Sequence, residues 1–218
     1  MSSCGYEFYD NKSKNLVIAF ASNISKFVDN ESVFEFRKSL SNMNIDANYL
    51  FVRDNLKNWY LSKIEGVGNN ITHSLAFFKK YFQSHDKVVT MGVSAGGYAS
   101  ILFGSKLNAD AVIAFNPQTD LDYAQKICER SWGDFMCGHL KTTSKLKTYS
   151  LYKNLKKIVA ENKYTHFHIN TKSATVDDEL HNYYHYENVE CGSTTFFSTT
   201  VKDGIKDGSL ENLLKLYL

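Results

Sequence analysis

One proline occurs in the 218 residues of the chain, and no apolar run approaches the roughly 20 residues that a membrane-spanning helix needs. The first ten residues have neither the basic region nor the apolar core of a secretory signal, so we expect a cytoplasmic protein. The net charge of +2 at pH 7 does not indicate a nucleic-acid partner or an acidic tail. These features favour an ordinary globular protein and leave its chemistry open.

Cysteine is also sparse, and its spacing excludes two kinds of site. The four cysteines are Cys4, Cys128, Cys137 and Cys191, and no two of them form a C-x-x-C pair. They therefore predict reduced thiols and not a disulfide framework or a zinc centre. We expect no bound metal and no bound cofactor.

Short apolar runs alternate with segments of helical periodicity along most of the chain. Residues 16–20 (Leu-Val-Ile-Ala-Phe) are continuously apolar, as is typical of a strand buried on both faces. The predicted strands are 16–20, 47–52, 88–91, 111–115, 165–170 and 189–191, and the predicted helices are 32–40, 71–82, 98–106, 151–159 and 210–218. This alternation predicts one α/β domain over residues 1–218, with a doubly wound, mostly parallel sheet of about six strands and helices on both faces. The less regular residues 120–150 are predicted to form a small cap.

The most informative stretch is Val-Val-Thr-Met-Gly-Val-Ser-Ala-Gly-Gly at residues 88–97. It carries G-x-S-x-G between a predicted strand and a predicted helix, which is the context of a nucleophile elbow. Gly92 and Gly96 meet the need for small residues on either side of a tight turn. The motif predicts that Ser94 is a nucleophile in an α/β-hydrolase-like sheet. The alternative is a glycine-rich strand-to-helix turn without catalytic function.

A serine nucleophile needs donors for the oxyanion that forms on its substrate. The N–H group of the residue after the nucleophile supplies one donor, which here is Ala95. The loop after an earlier strand supplies the second, and Ala21 follows the first predicted strand. The alternative interpretation is that the segment around Ala21 is a strand-to-loop connection with no role in binding an oxyanion.

The acid and the base of a triad are harder to place. In this fold the chain order is serine, acid, histidine, and an acid is expected after the penultimate strand. Asp177 and Asp178 stand there, where a carboxylate also favours a helix N-terminus, with Asp120 and Asp122 as the fallback. None of the seven histidines follows Cys191, so the base is expected to be His181, His185 or His139, each of which has a packing role as its alternative.

The elbow and its surroundings resemble the α/β-hydrolase-like proteins encoded with bacterial capsular and other surface polysaccharide genes, which include capsular-polysaccharide O-acetyltransferases. The similar features cover most of the chain. They are Leu50-Phe51-Val52-Arg53-Asp54, Asn58-Trp59-Tyr60, Leu107-Asn108-Ala109-Asp110, Ala114-Phe115-Asn116-Pro117-Gln118-Thr119 and Ile205-Lys206-Asp207-Gly208-Ser209-Leu210.

The resemblance implies a role for several positions. It makes Ser94 the nucleophile, and it favours Asp178 as the acid because Asp178 begins a D-x-x-H pattern that ends at His181. The base histidine of the family stands shortly before Ile205 in an H-x-V context, where this chain has Thr199-Thr200-Val201. The chain therefore departs from the family at the base.

The resemblance implies a serine-dependent acyl transferase or esterase that acts on a capsular or surface polysaccharide or its precursor, with acetyl-CoA as an acyl donor. Seven lysines between residues 139 and 163 would attract an anionic glycan or CoA phosphates, or they form a solvated helix face. Two other interpretations remain: a catalytically impaired relative that binds glycan or a biosynthetic protein partner, and a general small-ester hydrolase or thioesterase.

Overall fold

The computed structural model describes residues 4–23, 27–28, 31–32, 34–131, 133–170 and 193–218. Within these residues the strands are β1 (Tyr6–Tyr9), β2 (Asn15–Phe20), β3 (Phe27–Val28), β4 (Glu31–Ser32), β5 (Asn48–Val52), β6 (Lys87–Val93), β7 (Ala111–Phe115), β8 (His166–Asn170) and β9 (Thr194–Phe197). The helices are α1 (Arg37–Ser41), α2 (Ile71–Gln83), α3 (Ala95–Leu107), α4 (Leu121–Ser131), α5 (Gly133–Thr143), α6 (Tyr149–Tyr152), α7 (Lys156–Glu161), α8 (Val201–Lys206) and α9 (Ser209–Lys215).

Seven of these strands form one sheet in the order β1-β5-β2-β6-β7-β8-β9. Strand β1 pairs antiparallel with β5, and each of the other neighbouring pairs is parallel. Strands β3 and β4 form a separate two-stranded sheet. The predicted mostly parallel α/β sheet is therefore confirmed, with an antiparallel edge strand added.

Alternate residues of the central strands enter two different hydrophobic clusters. In β7, Val112 and Ala114 pack in the cluster that contains α3, whereas Ile113 and Phe115 pack in the cluster that contains the buried leucines of α9. All four side chains are nearly inaccessible to solvent. A strand covered on both faces needs apolar side chains at every position, which explains the uninterrupted apolar runs.

Two predicted helices differ from the structure for identifiable reasons. Ser32 lies in β4, and α1 begins only at Arg37 because Phe36 before it has a left-handed φ of 67°. The helix predicted over 151–159 is divided into α6 and α7. Residues 153 to 155 pair instead with residues 119 to 121, through Leu121 N–H to Lys153 O at 2.7 Å and Leu155 N–H to Thr119 O at 3.0 Å.

The two ends of the sheet were also incompletely predicted. Strand β1 is an edge strand with three half-buried residues and one exposed residue, so its apolar pattern is weak. The predicted strand 189–191 lies outside the described residues, and the strand observed next to β8 is β9. The region predicted as a cap is helical, with α4 packed against α5. In the part of the chain described, no helix is long and apolar enough to cross a membrane.

Candidate active site

Ser94 occupies the turn between β6 and α3 at the carboxyl edge of the sheet. Its backbone has φ 55° and ψ −120°, a conformation that is costly for a residue with a Cβ atom. The Ser94 N–H donates to Phe115 O at 2.8 Å, which ties the turn to the end of β7. The hydroxyl makes no capping hydrogen bond to α3, although serine commonly does so at this helix position. The Ser94 hydroxyl is therefore available for an interaction other than capping α3.

The glycines around Ser94 are required by close backbone approach. A Cβ atom on Gly92 would lie 2.3 Å from the carbonyl group of Gly96, and a Cβ atom on Gly96 would lie 2.1 Å from Phe20 O. Both obstructing groups are main-chain atoms, which cannot rotate away. The tight turn thus brings the start of α3 directly against the exit of β2.

This contact predicts that Gly96→Ala lowers the free energy of unfolding by about 3 kcal/mol or more, because the added methyl group overpacks a rigid backbone. Denaturant titration of purified variants measures the loss. Gly138→Ala in α5 is the matched control, since its Cβ atom meets nothing within 4 Å. The control should be more stable than the wild type by about 0.5–1 kcal/mol. Equal stability of the Gly96→Ala variant and the wild type would contradict this packing.

A glutamine amide contacts the Ser94 hydroxyl. Gln118 Nε2 lies 2.8 Å from Ser94 Oγ, and Trp59 Nε1 donates to Gln118 Oε1 at 3.1 Å. Both Gln118 and Trp59 are buried. Among the described residues, Gln118 is the only hydrogen-bond partner of the Ser94 hydroxyl. Gln118 and Trp59 belong to segments that resemble the family, but the sequence analysis predicted no role for either residue.

The oxyanion side of the site differs in part from the expectation. Ala95 begins α3, so its N–H has no intrahelical acceptor and remains a suitable donor. The Ala21 N–H, however, donates to Val52 O at 2.9 Å. The prediction of Ala21 as the second donor is therefore wrong in this structure, because the exit of β2 still pairs with β5 at that residue.

The residues after Ala21 offer another group. The Ser22 N–H donates to Glu35 Oε2 at 2.7 Å, so it is also engaged. Asn23 is buried, and within the described part of the chain neither its Oδ1 nor its Nδ2 has a hydrogen-bond partner. A buried amide without partners is costly unless a ligand or water completes it. Asn23 is therefore the polar group in this segment best suited to a ligand.

Three side chains hold the 21–23 segment through successive residues. Tyr60 OH donates to Ala21 O at 2.7 Å, Glu35 accepts from both the N–H and the hydroxyl of Ser22, and Lys57 Nζ donates to Asn23 O at 2.6 Å. Burial raises the pKa of the Glu35 carboxyl and lowers the pKa of the Lys57 amine. The segment is thus fixed in position before any substrate arrives.

The 54–60 loop supplies Lys57, Trp59 and Tyr60, and a buried carboxylate organises it. Asp54 accepts hydrogen bonds from the N–H groups of Leu56 at 3.0 Å, Asn58 at 2.6 Å and Tyr60 at 2.9 Å. Burial raises the pKa of Asp54. Three residues of the loop have left-handed φ values, namely Lys57 at 53°, Trp59 at 58° and Tyr60 at 61°. Such strain persists where the surroundings determine the conformation, and it is frequent at functional sites.

The position expected for a base histidine holds Thr199. It lies between the end of β9 and the start of α8, and its carbonyl accepts from Asn170 Nδ2 at 2.7 Å. Next to it is a cavity of about 320 Å³ between β7, β9 and the last two helices. Its lining includes Phe115, Phe197, Thr199 and Leu210. The threonine that replaces the expected histidine thus lies at the carboxyl edge of the sheet.

The other predicted acids and bases are only partly located. Asp177, Asp178, His181 and His185 lie outside the described residues. His139 in α5 interacts with the backbone of Leu56, and burial followed by the nearby Lys57 lowers the pKa of its imidazole.

The fallback acids, Asp120 and Asp122, serve local structure. Asp120 accepts from Tyr123 N–H at 2.9 Å and from Asn154 Nδ2 at 2.9 Å. Asp122 accepts from Tyr149 OH at 2.9 Å and from Lys153 Nζ at 2.5 Å. In the described ranges, no group of three or more His, Cys, Asp or Glu side chains is arranged to hold a metal ion.

No protein-family model and no curated protein matches the sequence. Solved structures do match it. The capsule O-acetyltransferase of Neisseria meningitidis serogroup A has a TM-score of 0.66 at 14% identity, over 99% of this chain and 93% of that one. A mutant of the same enzyme in complex with CoA has a TM-score of 0.65 at 17% identity, over 98% and 93%. FphF, a fluorophosphonate-binding serine hydrolase of Staphylococcus aureus, has a TM-score of 0.56 at 15% identity, over 94% and 83%.

These similarities establish the fold. The chain has an α/β-hydrolase-like architecture, as the elbow motif and the alternating strands and helices predicted. The resemblance to the group that contains capsule O-acetyltransferases is confirmed at this level.

Proposed function

We propose that the protein is a serine-dependent acyl transferase or esterase with Ser94 as its nucleophile. The observation that carries the proposal is the strained Ser94 backbone, whose hydroxyl is not used to cap α3 and instead meets a fixed amide donor. Strain of this kind aims a side chain beyond the sheet edge at a cost in stability. A plain glycine-rich turn gives no reason to keep a serine there.

The proposed reaction has two steps. Ser94 Oγ forms a bond to the acyl carbonyl carbon, the bond from that carbon to the leaving group breaks, and the serine proton ends on the departing thiol or alcohol. The oxygen of a sugar hydroxyl or water then forms a bond to the acyl carbon, the bond from that carbon to Ser94 Oγ breaks, and the proton of the acceptor returns to Oγ. The Ala95 N–H and the Asn23 amide group are proposed to donate to the oxyanion of each tetrahedral intermediate.

The proposed acceptor is a capsular or surface polysaccharide or its precursor, and the proposed acyl donor is acetyl-CoA. The fold similarity to a capsule O-acetyltransferase, including a mutant bound to CoA, supports this choice. Of the lysines in the 139–163 segment, Lys153 bonds to Asp122, and Lys157 lies 3.8 Å from Glu161. Two of the seven lysines are thus paired with carboxylates, and the proposal is not based on that segment as a binding surface.

A fluorophosphonate probe tests the nucleophile directly. We expect the folded protein to take up one equivalent of probe, and peptide mapping by mass spectrometry to locate it on Ser94. Heat-denatured protein should remain unlabelled, because an unactivated serine hydroxyl is a weak nucleophile. Label on another residue, or no label on the folded protein, would refute the proposal.

The acceptor class needs a separate assay. Release of free CoA from acetyl-CoA should increase when a hydroxyl-bearing capsular glycan is added, as required for a transferase. Turnover of p-nitrophenyl acetate with no effect of glycan or acetyl-CoA would instead favour the general small-ester hydrolase.

A second candidate function has specific support. Thr199 occupies the expected position of the base, and an amide, not an imidazole, meets the Ser94 hydroxyl. These features favour a relative that keeps the fold and binds glycan or a biosynthetic protein without turnover. In that case a Ser94→Ala variant would bind the glycan as tightly as the wild type, and neither protein would release CoA.

A further inference from the structure

The orientation of the Gln118 amide is determined by its neighbours. The indole N–H of Trp59 can only donate, so the atom facing it at 3.1 Å must be the amide oxygen Oε1. The Asn116 carbonyl can only accept, and it lies 3.3 Å from the amide nitrogen Nε2. Both contacts select the same orientation of the amide. The second Nε2 hydrogen is then directed at Ser94 Oγ, 2.8 Å away.

This orientation sets the direction of the hydrogen bond at Ser94. The Ser94 oxygen accepts from Gln118, so the hydroxyl hydrogen points away from Gln118. Gln118 offers no lone pair toward Ser94 and cannot accept its proton. A donor so placed stabilises negative charge on Oγ, since hydrogen bonds to ionised oxygens are stronger than those between neutral groups.

The amide is also held rigidly and away from water. Gln118 is 4% exposed and Trp59 is fully buried. Asn116 has a left-handed φ of 46°, which turns the chain sharply between β7 and Gln118. The indole is presented by the 54–60 loop, which the buried Asp54 carboxylate organises. A donor fixed in a buried site is more effective than the same donor in water because it needs no reorganisation as charge develops.

We infer that Gln118 is a catalytic residue that donates a hydrogen bond to Ser94 Oγ as charge develops there, and that Trp59 is the positioning residue that orients it. The inference rests on the proposed function of Ser94. Negative charge develops on Oγ as its proton leaves, and again as the bond from Oγ to the acyl carbon breaks in the second step, and the Gln118 N–H remains intact throughout. The serine proton still ends on the leaving thiol or alcohol.

The test compares variants in fluorophosphonate labelling rate and in p-nitrophenyl acetate kinetics. Gln118→Ala should lower the labelling rate by about 10- to 100-fold, as expected for a hydrogen bond to a charged group. The loss should appear in kcat with KM unchanged, because the interaction strengthens only in the transition state. Gln83→Ala at the end of α2 is the matched control, since Gln83 is exposed there, and should behave as the wild type.

Two conservative variants separate a catalytic role from packing. Trp59→Phe keeps an aromatic ring, although a smaller one, and removes the indole N–H, so it should lower kcat by about 3- to 10-fold, corresponding to one neutral hydrogen bond. Gln118→Met keeps the length of the side chain and removes the amide donor without adding a proton acceptor, and it should lose as much as the alanine variant. Thermal unfolding of each variant shows whether the fold is intact.

The outcomes distinguish this inference from the proposed function. If the wild type is labelled at Ser94 and folded Gln118→Ala or Gln118→Met is labelled as fast, the inference is overturned and the proposed function stands. If the wild type is not labelled, both fail. An unchanged kcat in Trp59→Phe would overturn the positioning role alone.

Discussion

Replacing Ser94 by Ala is expected to lower ester turnover by at least about 10³-fold, the scale of loss when a nucleophile is removed. The fold should be unaffected, because the hydroxyl does not cap α3 and its one hydrogen bond among the described residues is to Gln118. Alanine retains a Cβ atom, so it retains the strained φ of 55° as well. Turnover of p-nitrophenyl acetate and thermal unfolding are the measurements.

Ser94→Gly is the matched control for this variant. Glycine adopts positive φ at little cost, so the glycine variant should be inactive but more stable than the alanine variant by about 1 kcal/mol. A glycine variant that is inactive yet more stable than the alanine variant would show that the backbone conformation at Ser94 lowers the stability of the fold. Unchanged turnover in either variant would remove Ser94 from the mechanism.

Replacing Thr199 by His is expected to raise ester turnover by about 10²- to 10⁴-fold, the usual contribution of a positioned general base. Thr199 follows β9 at the carboxyl edge of the sheet, where the chain order of this fold places the histidine. Its carbonyl hydrogen bond to Asn170 belongs to the main chain and survives the substitution. The adjacent cavity of about 320 Å³ gives the larger ring room. Steady-state kinetics across pH 5 to 9 should show a new rise in rate near the ordinary histidine pKa of about 6.5.

Ser198→His is the control, since it adds the same ring one residue earlier, at an exposed position. It should leave turnover unchanged. If Thr199→His also leaves turnover unchanged while the wild type is active, the prediction is wrong and the base lies elsewhere. Alanine variants of His139, His181 and His185 would then locate it.

Much of the fold was predictable from local patterns. Strands β2 and β7 read as continuous apolar runs because both faces of the sheet are covered, and α2 shows its buried face as a regular repeat. Patterns were less informative where partners distant in sequence decide the structure. The chain leaves the helix after Tyr152 because residues 153 to 155 pair with residues 119 to 121 at the start of α4. That partner is more than 30 residues away, so the pattern within 151–159 gives no sign of it.

The position of Ser94 in a turn between a strand and a helix was predictable from the sequence alone. The two flanking glycines and the strand and helix on either side are local features, and a Cβ atom on Gly92 would clash with Gly96 within the same turn, whereas Gly96 itself is required by the distant Phe20 carbonyl. The surroundings of the Ser94 hydroxyl were decided by tertiary structure. Gln118 is 24 residues from Ser94 and 59 residues from Trp59, and the Asn23 carbonyl is 34 residues from the lysine that holds it. Hydrogen bonds at such separations exist only once neighbouring strands bring their carboxyl ends together, so no spacing in the sequence marks them.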